Sequence, residues 1–186
     1  MMQFTLQTEP VMKTTIEKHI CHLFANALSY PDEDYQENVT ACLQRLEEYP
    51  QAAESFRPFA EFVEAVEITR LEELFTATFD LNDKRPLEVG WHLYGEEYKR
   101  GQFLVKMRSL LREYEVEEST ELPDHLSHCL QLLPGMEFAD AEAFTQNYLL
   151  PALAQILEGF DADNSYEQVI ISLEEFLTQT YGSDDQ

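Results

Sequence analysis

Lysine and arginine disappear from this chain after Arg112. The 74 residues that follow contain 17 of the 36 acidic side chains, and the whole sequence carries a formal charge of −24. A field of that sign repels nucleic acid and anionic membrane surfaces and favours cationic partners. Cysteine is scarce: Cys21, Cys42 and Cys129 are widely spaced and form no C-x-x-C pair. An odd, scattered set argues against a disulfide framework and suits a reducing compartment. No stretch approaches the roughly 20 apolar residues that span a bilayer. The opening segment MMQFTLQTEP lacks the positive region and apolar run of a secretory signal. A cytoplasmic protein with no direct membrane insertion is the expectation. Period-two alternation, internal repeats and low-complexity tracts are missing too. So are G-x-G-x-x-G and G-x-x-x-x-G-K-[ST], which excludes a standard nucleotide loop.

What is present is enough to fold. Hydrophobic residues make up 44% and aromatics 12%, so a core can form in spite of the charge. Ile16, Ile20, Leu23, Phe24, Ala27 and Leu28 repeat at three- and four-residue spacing, the mark of one buried helix face. Tyr35, Val39, Cys42, Leu43 and Leu46 form a second stripe, stopped near Pro50. Phe56, Phe59, Ala60, Val63 and Val66 form a third. Leu71, Leu74, Phe75, Thr78 and Phe79 form a short fourth. The segment DLNDKRPLEVGWHLYGEEYKRG has no clear period and reads as loop; it holds the only tryptophan, Trp91. Phe103, Leu104, Met107, Leu110, Leu111 and Tyr114 resume the pattern. Asp124 is placed to cap a helix running to Leu133, before Pro134-Gly135. A longer stripe runs from Phe138 to Phe160 and should kink or split at Pro151. Val169, Ile170, Leu173, Phe176 and Leu177 mark a last helix. The expected architecture is all-α: one domain over 1–186, a compact bundle of about eight or nine helices, with 1–11 and 182–186 loose.

Catalytic readings are weak. His19, Cys21 and His22 cannot face one ion from a single helix, because Ile20 centres the buried stripe. His125, His128 and Cys129 form a second cluster, and Asp124-His125 can be read as a hydrolase pair. A helical metal-binding hydrolase using His125 and His128 is therefore the alternative function, although no nucleophile elbow accompanies it. Lys99, Arg100, Lys106, Arg108 and Arg112 are the one basic concentration. Outnumbered by acidic residues, they are expected to pair with Glu96, Glu97, Glu113 and Glu115 and not with nucleic acid. An acidic scaffold or nucleic-acid mimic is a third reading; the aromatics at helical spacing are more simply used in a core.

Three motifs in fixed order carry more. Leu71, Leu74, Phe75, Thr78, Phe79 and Asp80 match L-x-x-L-[YF]-x-x-T-F-D. His92 to Glu96 reads H-L-Y-G-E, and Leu122 to Leu126 reads L-P-D-H-L. Together they resemble the NarJ/TorD/DmsD redox-enzyme maturation chaperones, most closely the NarJ-like (nitrate reductase delta subunit) branch. The resemblance implies a TorD-like, all-helical cytoplasmic chaperone without turnover chemistry. It would bind the N-terminal leader, a twin-arginine signal or its relic, of a molybdoenzyme catalytic subunit. It would hold that apoenzyme while molybdopterin guanine dinucleotide is inserted, before export or membrane docking. Nitrate reductase is the client the branch suggests. No stably bound cofactor or metal of its own is implied, and the state would be monomer or helix-exchanged dimer. An apolar groove edged by carboxylates suits a leader with a basic pair and an apolar stretch. Its walls should come from the fourth helix, the central loop and the turn at Pro123. The residues expected to bind peptide are Phe75, Phe79, Trp91, His92, Tyr94, Leu122, Asp124 and His125.

Overall fold

The three- and four-residue spacing becomes helix almost throughout. The computed structural model describes residues 15–161 and 163–182; the termini expected to be loose lie outside them, except for Gly182. The stripes appear as α1 (Thr15–Ala27), α2 (Tyr35–Arg45), α3 (Pro50–Ala65) and α4 (Ile68–Phe75). After them come α5 (Val89–Tyr94), α6 (Tyr98–Glu113), α7 (Leu126–Leu132), α8 (Phe138–Phe144), α9 (Leu150–Glu158) and α10 (Tyr166–Tyr181). Among the described residues the only β pairing is an isolated bridge between Glu88 and His125.

The prolines sort by position. Pro50 opens α3 as well as ending the preceding segment, since its fixed φ and missing N–H suit a first helical turn. Pro151 acts as expected within the long stripe. α8 passes through a π turn at Thr145–Leu149 and continues as α9, so that the wider turn falls just ahead of the proline. A π turn there relieves the clash between a proline ring and the carbonyl four residues back.

The core is aromatic. Phe24 meets Phe56 edge-on at 5.7 Å, and Tyr49 meets Phe176 at 4.9 Å. Such pairs add about 0.5–1.5 kcal/mol beyond area burial. α3 and α10 pack along most of their length, and buried Ser172 Oγ donates to the Ala52 carbonyl at 2.7 Å where the two backbones run close. Tyr35 Oη donates to the Ala27 carbonyl at 2.7 Å and lies 2.9 Å from Tyr166 Oη, tying α1, α2 and α10 together.

One element departs from expectation. Residues 89–94, read as loop, form α5, which packs against α6 and α9. Six residues give too little periodicity to stand out, and the helix is held from outside. Gly95 ends it with φ +56°, a left-handed conformation that favours glycine.

Candidate functional site

Asp124 organises this region, in a way that differs from the sequence reading. It does not cap α7. His125 is that N-cap: its Nδ1 accepts the Ser127 N–H at 3.3 Å and lies 2.7 Å from Ser127 Oγ. Asp124 is fully buried and turns the other way, its Oδ2 accepting the Gly90 N–H at 2.9 Å in the first turn of α5. The Val89 N–H donates to the Asp124 carbonyl at 2.9 Å and the Leu126 N–H to the Leu87 carbonyl at 2.8 Å. A carboxylate from one loop thus caps a helix in another, matching the charge to the positive end of the helix dipole. Gly90 is required by the close approach: a Cβ there would lie 2.6 Å from Asp124 Oδ2 and 2.9 Å from Phe103.

A cavity of about 470 Å³ opens where these segments meet the end of α4. Phe79, Leu81, Pro86, Leu87 and Trp91 supply its apolar surface. Asp80, Asp83, Glu88 and Glu121 bring four carboxylates, against one guanidinium from Arg100. The trough is therefore more polar than the apolar groove foreseen. Trp91 is fixed by its Nε1–H, which donates to the Asp83 carbonyl at 3.2 Å. The wall at 80–86 is anchored by buried Arg85. Its Nε donates to the Thr78 carbonyl at 3.2 Å, one terminal nitrogen donates to the Gly159 carbonyl at 3.3 Å, and the guanidinium lies 5.0 Å over Phe160.

Of the eight residues singled out by sequence, the cavity is lined by Phe79, Trp91 and His125. Phe75 lies behind it, 5.1 Å from Phe79 and 5.7 Å from Tyr166, as core. Asp124 lies beneath the surface. His92 faces an adjoining hollow with Lys84 and Gln155, its Nε2 donating to the Pro86 carbonyl at 2.7 Å. Tyr94 packs on Phe103 at 5.6 Å, and Leu122 stands 43% exposed at the turn. Sequence reasoning missed Arg100 and the acidic residues of the rim. The only signal for the latter was the density of carboxylates around the central segment.

Burial sets the protonation of the site. It pushes the carboxyls of Glu88 and Asp124 up, with Arg100 opposing the rise in both and the Gly90 N–H opposing it at Asp124. Burial, with the neighbouring His128, lowers His125 to about 4. Since Nδ1 accepts from Ser127, the neutral ring carries its proton on Nε2. His128 is also occupied: its Nε2 accepts the Ser119 N–H at 3.1 Å, and Nδ1 donates to the Leu122 carbonyl at 2.9 Å.

These contacts leave the hydrolase pair unassembled, because Asp124 is bound to Gly90 and its other oxygen, Oδ1, has no hydrogen-bond partner among the described residues. On α1, Cys21 is buried while His19 and His22 are exposed. Among the described residues no group of three or more His, Cys, Asp or Glu is arranged to hold a metal ion. The basic residues of α6 also differ from expectation: Arg108 pairs with Glu118 at 3.1 Å, and Lys106 donates to Tyr148 Oη at 2.7 Å. No helix among the described residues is long and apolar enough to cross a membrane.

The fold is similar to a crystal structure of a candidate redox enzyme maturation protein from Archaeoglobus fulgidus. The TM-score is 0.61 at 19% identity, over 92% of this chain and 99% of that one. No curated protein matches the sequence significantly. The family model for the nitrate reductase delta subunit matches residues 32–179, which take in α2 through most of α10 and all three sequence motifs. The chain belongs to the nitrate reductase delta subunit family.

Proposed function

We propose that this redox-enzyme maturation chaperone of the NarJ type grips the N-terminal leader of a molybdoenzyme catalytic subunit, nitrate reductase or a related enzyme. Family and fold support the chaperone assignment. The observation that carries the finer reading is the cavity beside Trp91 and His125, ringed by Asp80, Asp83, Glu88 and Glu121. A leader with a basic pair and an apolar stretch complements it. The carboxylates attract and orient the arginines, mainly raising the association rate. Phe79, Leu81 and Trp91 receive apolar side chains, each worth about 1.5–3 kcal/mol on full burial before entropic costs. Held in this way, the apoenzyme waits in the cytoplasm while molybdopterin guanine dinucleotide enters the client, which carries the chemistry. The chaperone acts as a monomer or a helix-exchanged dimer and catalyses no turnover.

Calorimetry tests this with the leader peptide of a molybdoenzyme and a version in which both arginines are alanine. Heat with a micromolar or tighter Kd for the first, and at least about tenfold weaker binding for the second, is expected. Absence of heat from both sinks the reading.

A further inference from the structure

The cavity already holds a guanidinium of its own. Arg100 reaches in from α6, and its Cζ lies 5.3 Å from the centre of the Trp91 ring. Glu88 and Asp124 both feel its charge. Yet among the described residues the Arg100 side chain makes no hydrogen bond and no ion pair, and its Nε is buried without a partner. A planar cation with five N–H donors normally forks onto a carboxylate or a carbonyl. This one is laid on an aromatic face beside carboxylates that it does not grip.

We propose that Arg100 is a resident placeholder, occupying the Trp91 face until an arginine of the bound peptide displaces it. The proposal rests on the peptide-binding reading above and names the seat of one side chain within it. Without Arg100, the carboxylates clustered beside the half-buried indole would repel one another. With it, the repulsion is relieved by a group whose hydrogen-bonding capacity is unspent, so exchange for an incoming guanidinium sacrifices no hydrogen bond of the protein. The ligand arginine stacks on the same face and can reach the rim carboxylates as well. Lysine, a strongly hydrated point charge, gains less from an aromatic face.

Trp91 is the only tryptophan, so its fluorescence reports the seat directly. The full chain is titrated with three synthetic peptides that share an apolar segment preceded by Arg-Arg, Lys-Lys or Ala-Ala. Arg100→Gln should bind the Arg-Arg peptide on the order of tenfold more tightly than the parent, and the Lys-Lys peptide with a smaller gain. Arg112→Gln removes the same charge about 18 Å along α6, beyond a Debye length at physiological salt, and should stay within about twofold of the parent. Equal or weaker binding by Arg100→Gln, or an equal gain in Arg112→Gln, overturns the placeholder and leaves the peptide site standing. Failure of both parent and Arg100→Gln to bind the Arg-Arg peptide overturns both. Circular dichroism melts check folding; if Arg100→Gln is unfolded, Arg100→Lys, which keeps the charge and gives up planar stacking, should still tighten binding. Unchanged or weakened binding there overturns the proposal.

Discussion

At the scale of single residues, His125 shows how position sets chemistry. It is the N-cap of α7, and burial holds its ring near 4 against an ordinary value of 6.5. Between those pH values the unfolded chain binds a proton that the folded chain refuses. Stability from this group is therefore present above 6.5 and is lost as pH falls toward 4. His125→Asn keeps an acceptor for the Ser127 N–H and removes the titration. In urea melts it should flatten the slope between pH 4 and 6.5, by up to about 3 kcal/mol across the window, and change stability at pH 7 by less than about 1 kcal/mol. Glu88 and Asp124 act with the opposite sign. Their carboxyls are raised in the folded state, so their contribution is full at low pH and is lost as pH rises through the folded values. The sequence marked Asp124 and His125 as special but gave the α7 cap to Asp124, where the structure gives it to His125. Helix capping was foreseen, but nothing in the chain order says that the carboxylate caps α5, 34 residues away, in place of α7.

At the scale of elements, long periodic stripes were legible and the short helix was not. α1, α3 and α10 run from 13 to 16 residues, enough turns for the apolar spacing to declare a face. α5 has six, with Gly90 inside it, and exists because Asp124 caps it and α6 and α9 cover it. Interhelical polar locks were invisible for a similar reason. Tyr35 and Tyr166 each fit an apolar stripe, and only folding brings their hydroxyls together. Tyr35 Oη donates its one proton to the Ala27 carbonyl, so Tyr166 Oη must donate to Tyr35 Oη. The two substitutions are therefore unequal. Tyr35→Phe strands both the Ala27 carbonyl and the Tyr166 hydroxyl and should cost about 1–3 kcal/mol in denaturant melts. Tyr166→Phe leaves the Ala27 bond intact and should cost less. Equal losses would mean that the hydroxyls act independently.

At the scale of the whole molecule, charge governs two properties in opposite ways. A formal charge of −24 makes the folded state repel itself and draws cationic peptides from a distance. Raising salt from about 0.05 to 0.5 M shortens the screening length several-fold. The melting temperature should rise as self-repulsion is screened. The association rate of an Arg-Arg peptide, measured by stopped-flow Trp91 fluorescence, should fall more than its dissociation rate changes. A rate insensitive to salt would mean that the rim carboxylates do not steer the encounter.

The amino-acid order alone determined the all-α class, the register of most buried faces and the family, since all three depend on local spacing or short contiguous motifs. It also placed the central segment and the 122–126 turn side by side, because their motifs belong together in the family. Folding alone decided which side chains reach the cavity. Phe79, Trp91 and His125 do, while Phe75 and Asp124 go to the interior. That choice depends on the direction each side chain takes once α5 is capped and α4 passes into a π turn at Thr76–Asp80, and contacts between distant segments set both.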